Sequence, residues 1–416
     1  MVLGKYSIGL GDRFGHQGVA QLCAVKRAQT VGLDVVPVWN KSYREHTIIH
    51  TRPADTRAEA DAAVKALDWD EPYFVDADHV SLKIIEPFIP VCDFFTLDVA
   101  DYIGKKADET AIQTFVTQNS KYIGRLSIPS IEQTFHITKD LIRSIGEKYL
   151  YAIEEANRIY QHLVEQKGAD NFVTEVSMDE TDEPQTPVEL FFILAALSAR
   201  GMPVQTIAPK FTGRFNKGVD YIGDLEKFTR EFEQDVAVIQ FAIREFSLPT
   251  NLKLSVHSGS DKFSLYTPMR TAIQKFETGL HIKTAGTTWL EELIGLALAG
   301  GEGLDIARDV YRQAVNRYDE LAKPYASVID MDMRALPSPV DVDGWDGRQY
   351  AEILRHDQTN KKYNPHFRQL LHIGYKVAAE MGDRYLNALE RYEQVVAENV
   401  CNNIYERHLK PLFVTT

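Results

Sequence analysis

The sequence predicts a TIM-like (β/α)8 barrel with a helical insertion and a helical C-terminal extension. Three observations carry that expectation. Short apolar runs recur eight times, most of them end in polar or charged residues, and stretches with helical spacing lie between them. Buried parallel strands have this look, and in such barrels the chemistry gathers at the C-terminal ends of the strands. An open doubly wound sheet is the alternative arrangement of the same units.

The runs can be taken in order. "KYSIGLGDRFGHQG" leads into Gly11, Asp12 and Arg13, and "LDVVPVWNKS" into Trp39, Asn40 and Lys41. "PYFVDADHVS" carries Asp76, Asp78 and His79, and "CDFFTLDVAD" carries Asp98. "NFVTEVSMDE" holds Glu175 within an apolar strand, with Asp179 and Glu180 beyond it. "PVQTIAPKFTGR" reaches Lys210, "KLSVHSGSDKFSLY" reaches His257, and "GLHIKTAGTTWLEEL" carries His281 and Lys283. Thr288 and Glu291 have capping-box spacing, so a helix is expected just after Lys283. The stretch 229–246 has apolar residues at helical spacing, and about 70 residues separate the fourth and fifth runs. The expected organisation is a barrel over 1–330, interrupted by a helical insertion at about 102–170, and a helical extension over 331–416 that packs on the barrel. "MDMRALPSPVDVDGWDG", rich in Pro, Asp and Gly, reads as the connection between the two.

Composition narrows the function. With 46 Lys and Arg against 59 Asp and Glu, the formal charge is −13, which argues against a nucleic-acid binder and against anionic membrane surfaces. The three cysteines are widely spaced and form no C-x-x-C, which fits a reducing compartment. No signal peptide and no apolar run of membrane-spanning length is visible, so a cytoplasmic location is expected. Walker, G-x-S-x-G and H-E-x-x-H motifs are absent, and no nicotinamide-binding G-x-G-x-x-G follows a strand.

Several residues can carry chemistry, each with a plainer alternative. Asp76, Asp78 and His79 can bind a divalent metal or move protons, or form an Asp-rich turn. Strict alternation would turn His79 away from the two aspartates unless the strand has already ended. Glu175 in an apolar strand needs a metal or an ion-pair partner. Asp179 and its acidic neighbours read mainly as a solvated loop. Lys210 and Lys283 can form a Schiff base or hold an anionic oxygen. His257, followed by Ser258, Gly259, Ser260, Asp261 and Lys262, ends a core strand on an imidazole and continues in a donor-rich turn able to wrap an anion. Gly286 and Thr287 suit an anion at a helix N-terminus. His356, Asp357, Lys361 and Lys362 in the tail either close over the pocket or lie on the surface.

The blocks "GLGDRFGHQG", "FVDADHV", "VTEVSMDETDEPQTP", "QTIAPKFTGRFNKGVDYIGD", "HSGSDKFSLY" and "HIKTAGTTWLEEL" resemble the tagaturonate (hexuronate) epimerase family over most of the chain up to about residue 295. The resemblance implies interconversion of D-tagaturonate and D-fructuronate, keto-hexuronates that differ at a carbon β to the ketone. That C–H is not acidified, so simple deprotonation gives way to retro-aldol cleavage and re-addition or to transient hydride removal, and the missing nicotinamide fingerprint favours the retro-aldol route. Such chemistry calls for a Lewis acid or an iminium. Within these blocks the residues read as follows. His79, Glu175 and His257 are expected to bind a divalent ion such as Zn or Mn. Asp78 is the expected proton shuttle, Lys283 the oxyanion stabiliser and Lys210 a Schiff-base candidate. Arg13, Ser258, Ser260 and Lys262 are expected to hold the sugar-acid oxygens. An aldolase or ketose isomerase acting on another sugar, and a sugar-acid binding protein without turnover, are the competing readings.

Overall fold

A computed structural model describes residues 1–181, 183–258, 261–283 and 287–414. Its centre is a closed barrel of eight parallel strands, in the order β1-β10-β9-β8-β7-β4-β3-β2. These are β1 (Tyr6–Gly11), β2 (Val35–Ser42), β3 (Phe74–Val80), β4 (Phe94–Asp98), β7 (Val173–Ser177), β8 (Thr206–Ala208), β9 (Lys253–His257) and β10 (Leu280–Lys283). The remaining pair, β5 (Gly124–Leu126) and β6 (Phe135–Ile137), forms a small antiparallel sheet apart from the barrel. All eight apolar runs of the sequence thus become barrel strands, each beside the next, and the open sheet is excluded.

The connections follow their end signals. Thr138 caps the helix Lys139–Lys167 by accepting from the Leu141 N–H, and Gly168, at φ +80°, ends it. Thr186 and Glu189 form a capping box with Pro187 in the first turn of helix Pro187–Ala199. Between β4 and β7 lie the helix Glu109–Gln118, the β5–β6 pair and the 29-residue helix Lys139–Lys167. The chain after β10 is helical nearly to its end.

The helix after β10 runs Thr287–Ala299, as expected, with Thr288 and Glu291 inside it rather than ahead of its first residue. Thr288 Oγ1 accepts from Gln21, and buried Glu291 accepts from Asn403 of the tail. Tertiary partners have taken both side chains from the local motif.

Register decides what lines the barrel. Gly9 pairs with both Lys283 and Val38, Asn40 with Asp76, Thr96 with Glu175, and Lys283 with His257. Parallel neighbours in register point the same way, so these side chains share the inner face. Gly9 has a definite purpose here. A Cβ at that position would lie 2.9 Å from Lys283 Cγ, so only glycine lets the long lysine leave β10 and cross the barrel.

Candidate active site

Lys283 is the centre of the inner face. Its ammonium lies 2.8 Å from Asp76, 2.9 Å from Asp78 and 3.0 Å from Glu175, and it donates to Thr96 Oγ1. Four strands therefore meet on one buried nitrogen. Burial opposes its charge, but the three carboxylates hold its pKa well above the ordinary lysine value. Glu175 is held well below the usual carboxylate range: burial opposes this, and Lys283 and His257 outweigh it. Asp76, whose burial outweighs the same lysine, is shifted upwards.

His79 reaches this group through an irregularity. The β3–β4 register shifts between Ala77 and Val80, and His79 adopts φ +53°. A bulge of this kind re-aims side chains, and histidine tolerates the left-handed region better than most residues. His79 consequently stays on the side of Asp78, at 3.9 Å, and of Asp98, at 3.7 Å, despite the parity of the strand. Its ring meets that of His257 edge to face, with centroids 5.0 Å apart.

His257 lies between two carboxylates. Its Nε2 is 2.8 Å from Glu175, and its Nδ1 faces Asp179 at 3.3 Å. His79, Asp179 and His257 each offer a ligand atom within 4.8 Å of the others. The ligand-type set thus has Asp179 where the sequence suggested Glu175. Glu175 holds the ring of His257 through the other nitrogen, at 2.8 Å from Nε2.

Two observations bear on whether this set fits a cation. The Nδ1 atoms of His79 and His257 are both buried without a hydrogen-bond partner among the described residues. In addition, Asp76, Asp78 and Glu175 surround Lys283, while Asp98 and Asp179 face the rings of His79 and His257. Burial opposes charge on the two imidazoles, yet the nearby aspartates raise His79 to about 10 and His257 to about 9. The pocket draws positive charge to these nitrogens, and a divalent cation on His79, Asp179 and His257 answers the same demand.

The remaining expected residues are placed differently. Lys210, half-buried two residues past β8, donates its backbone N–H to Gln185 Oε1. Ser258 donates from Oγ to the Lys283 carbonyl and thereby ties the ends of β9 and β10 together. Arg13 is paired with Glu45 at 3.1 Å, donates to the His372 carbonyl and stacks 3.9 Å above Tyr375. Lys262 donates to the carbonyls of Asn216 and Val219. The guanidinium of Arg13 and the ammonium of Lys262 thus bind protein groups around the barrel mouth. Ser260 and Gly286 lie outside the described residues. Thr287 donates from its hydroxyl to Asp261. His356 is buried against Asp261, whereas Lys361 is exposed and Lys362 pairs with Glu352 at the surface.

Asp76 is a sequence candidate without an assigned role, and Thr96, Asp98 and Asp179 are given none by the sequence. Their signal was available for the first three, since Asp76 shares the parity of Asp78, and Thr96 and Asp98 share that of Glu175 across the sheet. Asp179, beyond the end of β7, had no parity to announce it.

Comparison with known proteins agrees with this geometry. The family model for tagaturonate epimerase (UxaE) matches residues 1–412. A curated relative, the tagaturonate/fructuronate epimerase of Thermotoga maritima, is 28% identical over 424 aligned positions, covering 97% of this chain and 80% of the relative. The native crystal structure of the fructuronate-tagaturonate epimerase UxaE from Cohnella laeviribosi superposes with a TM-score of 0.80 at 25% identity, over 100% of this chain and 82% of that one. A glycerol-complexed form of the same enzyme gives 0.81 at 24% identity, again over 100% and 82%. No helix among the described residues is long and apolar enough to cross a membrane. A family match over nearly the whole length, on a barrel whose strand ends converge on one polar centre, leads to one conclusion: this chain belongs to the tagaturonate epimerase family.

Proposed function

We propose that this protein interconverts D-tagaturonate and D-fructuronate by retro-aldol cleavage and re-addition, with a divalent cation at His79, Asp179 and His257. The observation that carries the reading is the convergence of His79, Asp179 and His257, each with a ligand atom within 4.8 Å of the others, with both imidazole Nδ1 atoms buried and making no hydrogen bond among the described residues. A cation held there supplies a Lewis acid for the ketone end of the substrate.

The protein groups divide the remaining work. Asp78, 2.9 Å from Lys283 Nζ and adjacent in sequence to His79, takes the proton of the hydroxyl on the carbon that changes configuration. The bond between that carbon and its neighbour next to the ketone then breaks. Its electron pair passes to the ketone side as an enediolate, and the other fragment leaves as an aldehyde. Lys283 provides a fixed positive charge for the developing oxyanion. The aldehyde turns, re-adds through its other face, and Asp78 returns the proton. Glu175 holds the ring of His257 throughout. Lys210, half-buried two residues past β8 and without an ion pair among the described residues, meets the uronate carboxylate.

The test is direct. Purified protein is assayed for conversion of D-fructuronate to D-tagaturonate, stripped with a chelator, assayed again, and restored with Zn or Mn. Activity should vanish with the metal and return with it, and His257→Ala should lose both together. Full turnover in a demonstrably metal-free sample excludes the Lewis-acid route. Borohydride trapping of substrate on Lys210 would replace it with Schiff-base chemistry.

A further inference from the structure

Asn40 is a polar side chain of the inner face that neither the Lys283 cluster nor the candidate metal ligands explain. Asn40 is only 2% exposed, and neither Nδ2 nor Oδ1 of its amide has a hydrogen-bond partner among the described residues. Its register neighbours are Gly11 on β1 and Asp76 on β3, so the amide faces the barrel interior one strand away from the Lys283 cluster. Gly11 has no side chain to cover it.

The neighbours of Asn40 along β2 are committed. Trp39 donates from its indole to Gln21, Lys41 lies 3.7 Å from Glu59, and Ser42 caps the following helix. A purely structural core position would favour an apolar residue, because a buried amide with no partner is destabilising. An amide there has one ready use. It presents a donor and an acceptor side by side, and adjacent hydroxyls of an open-chain sugar acid can answer both.

We infer that Asn40 reads a hydroxyl, or a neighbouring pair of hydroxyls, on the substrate beside the Lys283–Asp76 ion pair, and so sets specificity for a polyhydroxylated acid. The inference rests on the proposed reading of the site as a keto-hexuronate epimerase. A site built to hydrogen-bond a hydroxyl rejects the analogue that lacks it, because its own polar group is then left buried and unpaired.

The experiment compares wild type with Asn40→Ala and Asn40→Ser, the serine variant standing in should alanine unfold the chain. Melting temperature and bound metal are recorded for each, along with kcat and KM for D-fructuronate. Binding of keto-hexuronates that each lack a single hydroxyl is measured as well. Removing two neutral hydrogen bonds should lower kcat/KM by about tenfold to hundredfold, with metal content unchanged. One deoxy analogue should bind wild type more weakly than the parent, yet bind Asn40→Ala no more weakly than the parent does. A folded variant with wild-type kcat/KM, or one that discriminates the analogues as wild type does, overturns the assignment while leaving the epimerase standing. Wild type that neither turns over nor binds any keto-hexuronate overturns both, and that result is recognisable before any variant is made.

Discussion

The molecule contains two buried ionic centres of opposite design. In the barrel, one lysine is surrounded by the carboxylates of Asp76, Asp78 and Glu175. Beneath the tail, one carboxylate, Asp261, is surrounded by Arg368 at 2.7 Å, His356 at 3.3 Å and His408 at 3.2 Å, and accepts from Thr287. Both centres are close to fully buried, and both join distant parts of the chain. They differ in what is left over. Around Lys283 there is surplus negative charge, and Glu175 Oε2, His79 Nδ1, His257 Nδ1 and the Asn40 amide make no hydrogen bond among the described residues. Around Asp261 the single carboxylate is met on both oxygens, and Arg368 also donates to the Gly218 and Leu354 carbonyls, while the Nε2 atoms of His356 and His408 make no hydrogen bond among the described residues. Surplus negative charge is what a site needs to act on something else, whereas a carboxylate met on both oxygens by its own chain holds structure together.

The comparison is broken most readily at Lys283. Lys283→Met leaves three carboxylates facing one another, and it removes the fixed charge that the proposed mechanism uses. Turnover should fall by about 10³-fold, in the range found when a preorganised electrostatic group is deleted. Thermal stability should fall as well, since a broken buried ion pair costs about 3–5 kcal/mol. Turnover per folded molecule, measured well below the melting temperature, separates the two effects. A folded variant with near-normal turnover would make Lys283 another structural ion.

Arg368→Met should show the reverse pattern. It strips Asp261 of its shortest ion pair and strands two carbonyls, so the loss is again about 3–5 kcal/mol of stability. Turnover per folded molecule should change little, because Arg368 belongs to the tail side. Denaturant midpoints together with kcat at low temperature test this. A loss of kcat in fully folded protein would mean that the tail sets the geometry of the β9 loop during turnover.

Much of the barrel was legible in the sequence because apolar strands and polar ends are local signals. The eight runs were visible, and alternation carried Asp78, Glu175 and Lys283 to the inner face. Two kinds of information were not local. The bulge at His79 overrides parity, and nothing in "FVDADHV" announces a left-handed histidine. The loop residue Asp179 becomes a candidate ligand only because β9 brings His257 next to it. The Asp261 centre was hidden for a related reason. His356, Arg368 and His408 lie about 100 or more residues from Asp261 in sequence, and no spacing rule connects them. The donor-rich turn reads in sequence as an anion cradle, and what tertiary contact adds is that Asp261 and Lys262 anchor the tail and the loop after β8.

The smallest effect concerns a histidine outside both centres, and it shows whether burial alone produces a measurable pH dependence. His46 is buried beside Phe88, with its Nδ1 2.8 Å from Thr51 Oγ1. Burial, assisted by the nearby charge of Lys41, lowers its pKa from 6.5 to about 4. Folding therefore disfavours the charged ring. The stability this histidine allows is fully present above pH 6.5, and it declines as pH falls from 6.5 towards 4, because the unfolded chain takes up a proton that the folded one resists. Between pH 7.5 and pH 5 the loss should be about 1 kcal/mol after allowance for solvent screening. His46→Gln keeps a hydrogen-bonding group for Thr51 but cannot titrate, so its denaturant midpoint should vary less over this interval than that of wild type. Identical pH profiles for the two proteins would mean that His46 does not resist protonation in the folded chain, and that the acid sensitivity of this fold resides in its two ionic centres.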